Sequence, residues 1–267
     1  MKTEKTIMHF TDPYLISPAN PITVNLIGAG GTGSKVLTAL MEMSHSLTVL
    51  GHAGLSVRLW DDDLVSDANI GRQRFAPSEV GLHKSAALIN RVNRFMGTDW
   101  KAETIKFERD SLGKLPPNAK SSLYITCTDS VASRFELAEI LSYTASAHHR
   151  DSPKYWMDFG NSQFTGQVVL STIGEIAQPR SEKYQTQASL PFVTEEFGEL
   201  LKQSEQADDT PSCSLAEALD KQDLFINSAL AQLGCSLLWN LFRFGMTDSR
   251  GFFLNLKNFS SHPLKLG

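Results

Sequence analysis

ITVNLIGAGGTGSKVLTALMEM, residues 22–43, reads as a strand, a glycine-rich turn and a helix in immediate succession. Ile22-Thr-Val-Asn-Leu-Ile27 is short, apolar and β-branched and stops at glycines, the pattern of a strand buried on both faces. Past the glycines, Ser34, Val36, Leu37, Leu40 and Met41 recur at helical spacing. Gly28, Gly30, Gly31 and Gly33 therefore stand at a strand-to-helix junction. Glycine there lets the backbone approach a phosphate, and the helix N-terminus supplies N–H donors and partial positive charge. The turn indicates a nucleotide without saying which.

Further along the chain, Leu55–Trp60 is a second strand that ends in Asp61, Asp62 and Asp63. Leu82, Ala86, Ile89, Val92 and Met96 mark an amphipathic helix. Further strands are expected around Thr104–Phe107, at Ser121–Thr126, Tyr155–Phe159 and Gln167–Ile173, with a helix over Val131–Tyr143. Strands alternating with helices predict an α/β fold with a doubly wound sheet, whose ligands bind outside the carboxyl ends of the strands.

The chain reads as a single domain over 1–267, with a polar N-terminal arm (1–21) and a nucleotide-binding core (22–177). A proline-containing crossover loop (178–214) follows, with one short helix near Glu195–Leu201, and then a C-terminal helix and hairpin (215–267). That helix is expected over Leu215–Phe244, interrupted near Gly234, and the hairpin at Gly251–Leu256 and Pro263–Leu266.

The 267 residues are 41% hydrophobic and 20% charged with a net charge of −4, so no global positive field attracts nucleic acid or an anionic membrane. No stretch has the length of a membrane span, and the first residues lack a signal-peptide core, so a soluble cytoplasmic protein is expected. The three cysteines form no CxxC pair, which removes the usual structural zinc pattern. Cys127 and Cys235 lie in apolar surroundings and read as small core residues, while His148 and His149 read as solvated loop residues.

The discriminating segment is DDDLVSDANIGRQ, residues 61–73, followed by VGLHK at 80–84. Asp61, closing a strand, can accept both ribose hydroxyls, as a carboxylate does in dinucleotide enzymes. Asn69, Arg72, Gln73 and Lys84 add donors and two positive charges suited to a triphosphate. Asp129, past another strand, can hold Mg²⁺ near the same phosphates. An NAD(P)-binding oxidoreductase would leave Arg72, Lys84 and Asp129 without a task. Taken singly, Arg72 and Lys84 also read as solvated surface charges and Asp129 as a helix N-cap.

Together the segments resemble a family. DDDLVSDANIGRQ resembles the D-x-D-x-V-x-x-S-N-L-x-R-Q signature of the ThiF/MoeB superfamily, the ubiquitin-activating-enzyme fold. The glycine loop, VGLHK and TCTDS (126–130) follow in that family's order, from about Ile22 to Ile173. The resemblance implies a Rossmann-like sheet of the ThiF/MoeB type with a C-terminal crossover loop and helical extension. It implies that Asp61 binds ribose with Asp63 close by, that Asn69, Arg72, Gln73 and Lys84 contact the ATP phosphates, and that Asp129 organises Mg²⁺. The family's reaction is adenylation of the C-terminal glycine of a ubiquitin-like protein, with release of pyrophosphate.

Departures from the pattern are Ala68-Asn69-Ile70 in place of Ser-Asn-Leu and the missing zinc cysteines of the sulfur-carrier branch. Many members take an arginine from a partner subunit's N-terminal region. Here the first arginine is Arg58, leaving Lys2, Lys5 and His9 as the cations of that region. PSCSLAEALDKQDLFIN, residues 211–227, resembles a segment of the ThiF-family proteins of the PRTRC plasmid-associated system. That likeness implies a ubiquitin-like substrate, a conjugating-enzyme-like acceptor and a JAB-type peptidase, with a non-catalytic ATP-binding scaffold in plasmid maintenance as the alternative; a homodimer is the arrangement that the wider family's shared arginine implies. Cys213, ahead of a helical pattern, is the candidate thiol for a thioester.

Overall fold

The computed structural model describes residues 5–108, 119–144, 152–205 and 222–267. In chain order the elements are β1 (Ile7–Phe10), α1 (Pro13–Ile16), β2 (Ile22–Ile27), α2 (Gly33–Val49), β3 (Leu55–Trp60), α3 (Lys84–Met96), β4 (Lys101–Glu103), β5 (Leu123–Thr126), α4 (Val131–Thr144) and β6 (Tyr155–Asn161). After these come β7 (Thr165–Thr172), β8 (Gln185–Thr186), α5 (Val193–Glu196), α6 (Gly198–Glu205), α7 (Ile226–Phe244), β9 (Met246–Thr247), β10 (Ser249–Asn255) and β11 (Ser260–Lys265).

Eight strands form one sheet in the order β11-β10-β7-β6-β5-β2-β3-β4. The five from β4 to β6 run parallel, and β7, β10 and β11 continue the sheet antiparallel. Alternation along each strand divides the core. Val24, Leu26, Val57, Leu59, Leu123, Ile125, Tyr155 and Met157 face one side, where they join residues of α2, α3 and α7. Ile27, Trp60, Tyr124 and Trp156 face the other, against α4, α5 and α6. Burial on both faces is why β5 reads as an apolar run, whereas β3, with Ser56 exposed and Arg58 half-buried, alternates over most of its length. From β2 the chain moves first to β3 and β4 and then back to β5 on its other side, so the order reverses at the carboxyl ends of β2 and β5. Open α/β sheets place ligands at such a switch point.

Three sequence expectations are corrected. The strand expected at Thr104–Phe107 is instead Lys101–Glu103, paired with Arg58–Trp60. Phe107 leaves the sheet and lays its ring edge-on to Trp60, 5.0 Å between centroids. The polar N-terminal arm carries a strand: β1 pairs with β8 and β9 in a small second sheet, so the arm ties the crossover segment to the end of α7. Gly234 does not interrupt α7; a side chain there would run into the Phe159 ring, so glycine serves the contact of helix with sheet. The C-terminal helix α7 packs into the core, with Leu230, Ala231, Leu238 and Leu241 buried in the same cluster as β2. Residues 215–221 of the expected helix, His148, His149 and Cys213 lie outside the described residues. Among the described residues no helix is long and apolar enough to cross a membrane.

Candidate nucleotide site

The four glycines of the turn have different tasks. Gly28 has φ +96°, and a Cβ there would stand 2.6 Å from the Cys127 carbonyl oxygen. A Cβ on Gly33 would overlap Gly28 O, and one on Gly31 would stand 2.6 Å from Asn227 Nδ2. Gly30 alone faces open space, with nothing within 4 Å. Three glycines thus close the turn against β5 and α7, and one leaves its outer surface bare. Among the described residues the N–H groups of Gly30, Gly31 and Thr32 donate no hydrogen bond. Thr32, at the start of α2, does not cap it; its Oγ1 donates to Asn227 Oδ1 at 2.7 Å. The resulting run of free amide donors is an anion cradle.

Asp61 leaves the end of β3 beside this turn. Its Oδ2 accepts the Ala29 N–H at 2.6 Å and its Oδ1 the Asp63 N–H at 3.1 Å. Burial raises its pKa, with the Ala29 hydrogen bond and the charge of Lys84 pulling the other way. Lys84 opens α3 and is buried; its Nζ lies 2.7 Å from Asp63 Oδ2, and its N–H donates to Asp63 O at 2.9 Å. Asp63, largely exposed, holds the ammonium next to Asp61.

Asn69 closes the 3₁₀ turn 67–69, its Oδ1 accepting from Ser66 N at 2.9 Å and from Ser66 Oγ at 3.1 Å. Its carbonyl takes the Gln73 N–H at 2.9 Å. Asn69 thereby shapes the loop that carries Arg72 and Gln73. Arg72 Nη1 reaches Gln222 Oε1 at 3.3 Å, and Gln222 in turn accepts from Asn227 Nδ2 at 2.8 Å. Arg72 Nε and Gln73 Oε1 are buried without a hydrogen-bond partner among the described residues. Buried polar atoms left unpaired are costly unless a ligand completes them.

In the sequence Lys35 looks like an ordinary polar position in a helix, and it is absent from the residues expected at the site. It is 8% exposed. Its Nζ donates to Arg72 O at 2.8 Å and Gly31 O at 3.3 Å, joining the glycine turn to the Arg72 loop. Burial, with the charges of Arg74 and Arg72, lowers its pKa to about 8. One signal does mark it: a lysine in a first turn opposes the helix dipole, which calls for a reason.

Across the switch point, β5 leads into Cys127, Thr128 and Asp129. Asp129 is exposed, and the side chain that accepts from the first turn of α4 is that of Ser130, whose Oγ takes the Ser133 N–H at 3.3 Å. The N-cap reading of Asp129 is thereby replaced. Thr128 Oγ1 is buried and unpartnered among the described residues. Below this loop lies an ion pair that sequence reasoning does not reach: Arg134 Nε donates to Asp158 Oδ1 and Oδ2 at 2.9 and 3.0 Å. Its Nη2 donates to Thr128 O at 2.8 Å and Phe159 O at 3.0 Å, and Thr126 Oγ1 donates to Asp158 Oδ1 at 2.6 Å. With its Nη1 also donating to Ser130 O at 3.3 Å, the arginine bonds carboxylate and carbonyls and so fixes the 127–130 loop.

The glycine turn, Asp61, Asp63 and Lys84 are joined by direct contacts, Lys35 ties the turn to the loop of Asn69, Arg72 and Gln73, and Asp129 follows the carboxyl end of β5 with no contact to them among the described residues. An acceptor for hydroxyls stands at one end, amide donors and cations follow, and a free carboxylate lies beyond. Mg²⁺ takes one or two carboxylates with the remaining positions filled by phosphate and water, and a lone exposed Asp129 beside an amide cradle fits that donor set. Of the other cysteines, Cys127 and Cys235 are buried, and desolvation raises both thiols, Cys235 to about 12.

This is a Rossmann-like α/β domain by its sheet order and its strand-turn-helix start. Residues 19–265 match the ThiF family, and the chain belongs to that family. No curated protein sequence matches it. Among solved structures it is similar to E. coli MccB with ATP, at 13% identity and TM-score 0.56 over 95% of this chain and 65% of that one. It is similar also to the microcin C7 biosynthetic enzyme MccB in complex with N-formylated MccA, at 14% identity and TM-score 0.55 over 92% and 65%. The crystal structure of selenomethionine PaaA is a third, at 16% identity and TM-score 0.57 over 91% and 64%. The chain spans a little under two thirds of the length of each, and at these identities the likeness is one of fold.

Proposed function

We propose that this protein is an ATP-dependent adenylyltransferase that activates the C-terminal glycine carboxylate of a ubiquitin-like protein. One carboxylate oxygen attacks the α-phosphorus of ATP, the bond from that phosphorus to the bridging oxygen breaks, and pyrophosphate leaves with the electron pair. The observation that carries this reading is the charge order at the strand ends: ribose acceptor, unpaired amide donors, and three cations, Lys35, Arg72 and Lys84, gathered where a triphosphate would lie. An NAD(P)-binding oxidoreductase would leave Arg72, Lys84 and Asp129 without a task. A protein or peptide substrate agrees with the MccA complexes of MccB, whose fold this chain shares.

In this reading Asp61 orients the ribose, and the free N–H groups at Gly30, Gly31 and Thr32 receive phosphate oxygens. Arg72, with its unpaired Nε, and Lys84 neutralise charge as pyrophosphate departs, and Asn69 and Gln73 hold the loop that delivers Arg72. Asp129 would hold Mg²⁺, which screens the phosphates from the incoming carboxylate. Of the cations available near the N-terminus for a partner's site in a homodimer, His9 is buried between Tyr155 Oη (2.9 Å) and Gln187 O (2.7 Å), which leaves Lys2 and Lys5. Transfer of the activated chain to Cys213, or to a conjugating-enzyme-like acceptor, comes after adenylation.

The test is ATP–pyrophosphate exchange with and without a ubiquitin-like protein encoded beside this one. Exchange is expected only with the partner and is expected to vanish when its last glycine is deleted. Exchange without any partner would assign a small-molecule substrate. Nucleotide binding without exchange would leave a scaffold, and equal affinity for NAD and ATP would return the oxidoreductase reading.

A further inference from the structure

Lys35 is buried in the first turn of α2, against the helix dipole, facing Arg72 and Arg74, and no carboxylate pairs with it among the described residues. Its two acceptors are main-chain carbonyls on separate loops, Gly31 O and Arg72 O. Against those two carbonyls, every other contribution disfavours a cation: desolvation, two guanidinium groups and the positive end of a helix. A methionine of like length would fill the same space without those costs.

We infer that Lys35 is a positioning residue of the nucleotide site whose ammonium clamps the glycine turn to the Arg72 loop and gains its full proton only when a polyphosphate binds. The inference rests on the adenylation reading of this site and deepens it, making triphosphate recognition a proton-linked event. The anion supplies the counter-charge the site lacks; solvent supplies the proton, which ends on Nζ. In the ligand-free chain, burial and the two arginines place the lysine at about 8, so it titrates near neutral pH. Because the bound anion favours the charged form, linkage requires affinity for the anion to fall as pH rises through that value. Holding Gly31 O inward also leaves the adjoining amides pointing outward, so the clamp and the cradle are two sides of one peptide arrangement.

The experiment is calorimetric titration of the whole protein at pH 8 with Mg²⁺ and an ATP analogue bridged by methylene between the α and β phosphates. It is run in two buffers of different ionisation heat, with adenosine as the uncharged control. Wild type is expected to take up about half a proton per triphosphate and none per adenosine, the value for a lysine half-charged at that pH. Its affinity for the analogue is expected to fall about tenfold from pH 7 to pH 9. Lys35→Met removes the uptake, whereas Lys35→Arg, always charged, binds the analogue with no uptake and a flat pH profile. Triphosphate binding by wild type with no uptake, or uptake unchanged in Lys35→Met, overturns the inference and leaves the adenylation reading standing. No binding of the analogue by wild type overturns that reading instead. Should Lys35→Met fail to fold, the wild-type comparison of triphosphate with adenosine decides alone.

Discussion

Asp61 Oδ2 accepts the Ala29 N–H at 2.6 Å, so the acid that ends β3 is fastened to the turn that ends β2. The carboxylate therefore shapes the turn itself, beside the ribose role proposed for it. Burial raises its pKa above the ordinary carboxylate value despite that hydrogen bond. A carboxyl with a raised folded-state pKa binds protons more readily folded than unfolded, so its contribution to stability declines as pH rises through the carboxylate range, and at pH 7 the charge is a net cost. Asp61→Asn, which keeps an oxygen for Ala29, is expected to raise the Tm of the ligand-free protein at pH 7, with the gain shrinking as pH falls. The same variant is expected to weaken ATP and adenosine alike. A lower Tm would show that the lost Asp63 N–H bond and the attraction of Lys84 outweigh burial.

The glycines separate folding from binding. Gly28→Ala places a side chain at φ +96° and 2.6 Å from Cys127 O, and is expected to cost about 1–3 kcal/mol in urea unfolding. Gly30→Ala meets nothing in the protein, so its unfolding curve is expected to overlay that of wild type. Its methyl instead occupies the surface a phosphate would approach, and affinity for ATP is expected to drop at least tenfold, about 1.4 kcal/mol, with adenosine affected less. Unchanged ATP binding in Gly30→Ala would move the phosphates off this turn.

The sequence offers Asp129 both a metal role and a helix cap; the cap belongs to Ser130, so the proposed metal role can be tested apart from it. Asp129→Asn is expected to lower pyrophosphate exchange by about 10²–10³ with no change in Tm, the scale on which one preorganised electrostatic group acts. Ser130→Ala removes the acceptor for Ser133 N–H and is expected to cost about 1 kcal/mol of stability with exchange near wild type. The reverse pattern would make Asp129 a structural cap.

Arg134 and Asp158 are 4% and 1% exposed and bonded to each other, so removing either strands a buried charge. Asp158→Ala is expected to destabilise by about 3–5 kcal/mol by chemical denaturation. Since Arg134 also holds Thr128 O, exchange under folding conditions is expected to fall too, through a displaced Asp129. A loss below about 1 kcal/mol would mean that water replaces the partner.

The strands and the glycine turn are legible in the sequence because each arises from local pattern: Ile22–Ile27 and Leu55–Trp60 coincide with the observed β2 and β3 residue for residue. β4 escapes such a reading because it is three residues at a sheet edge with no apolar run of its own, while the buried Phe107 just beyond it imitates strand character. β1 and the packing of α7 depend on contacts between chain ends, such as His9 with Thr247, which no local window contains. At the site, residues on one continuous segment, Asp61 to Lys84, are readable together. Lys35 and the Arg134–Asp158 pair are not, since burial and pairing across 24 positions exist only in three dimensions.

The three cysteines bear on the step after adenylation. Cys127 is buried against Gly28 with its thiol raised well above the ordinary value by desolvation, and burial pushes Cys235 up to about 12. A nucleophilic thiol must be accessible and ionise near neutral pH, so neither is suited to take an acyl group from AMP. Cys213, outside the described residues, is the remaining thiol and the proposed acceptor. After incubation with Mg-ATP and the ubiquitin-like partner, a thiol-sensitive adduct on a non-reducing gel is expected for wild type, Cys127→Ala and Cys235→Ala and is expected to be missing for Cys213→Ala. The cysteine chemistry also sets the pH profile: adduct formation is expected to rise toward alkaline pH as thiolate forms, whereas exchange is expected to fall there as Lys35 loses its proton. Robust exchange with no adduct in wild type would make the protein an adenylating enzyme only, its acyl-adenylate passing straight to a thiol on another chain.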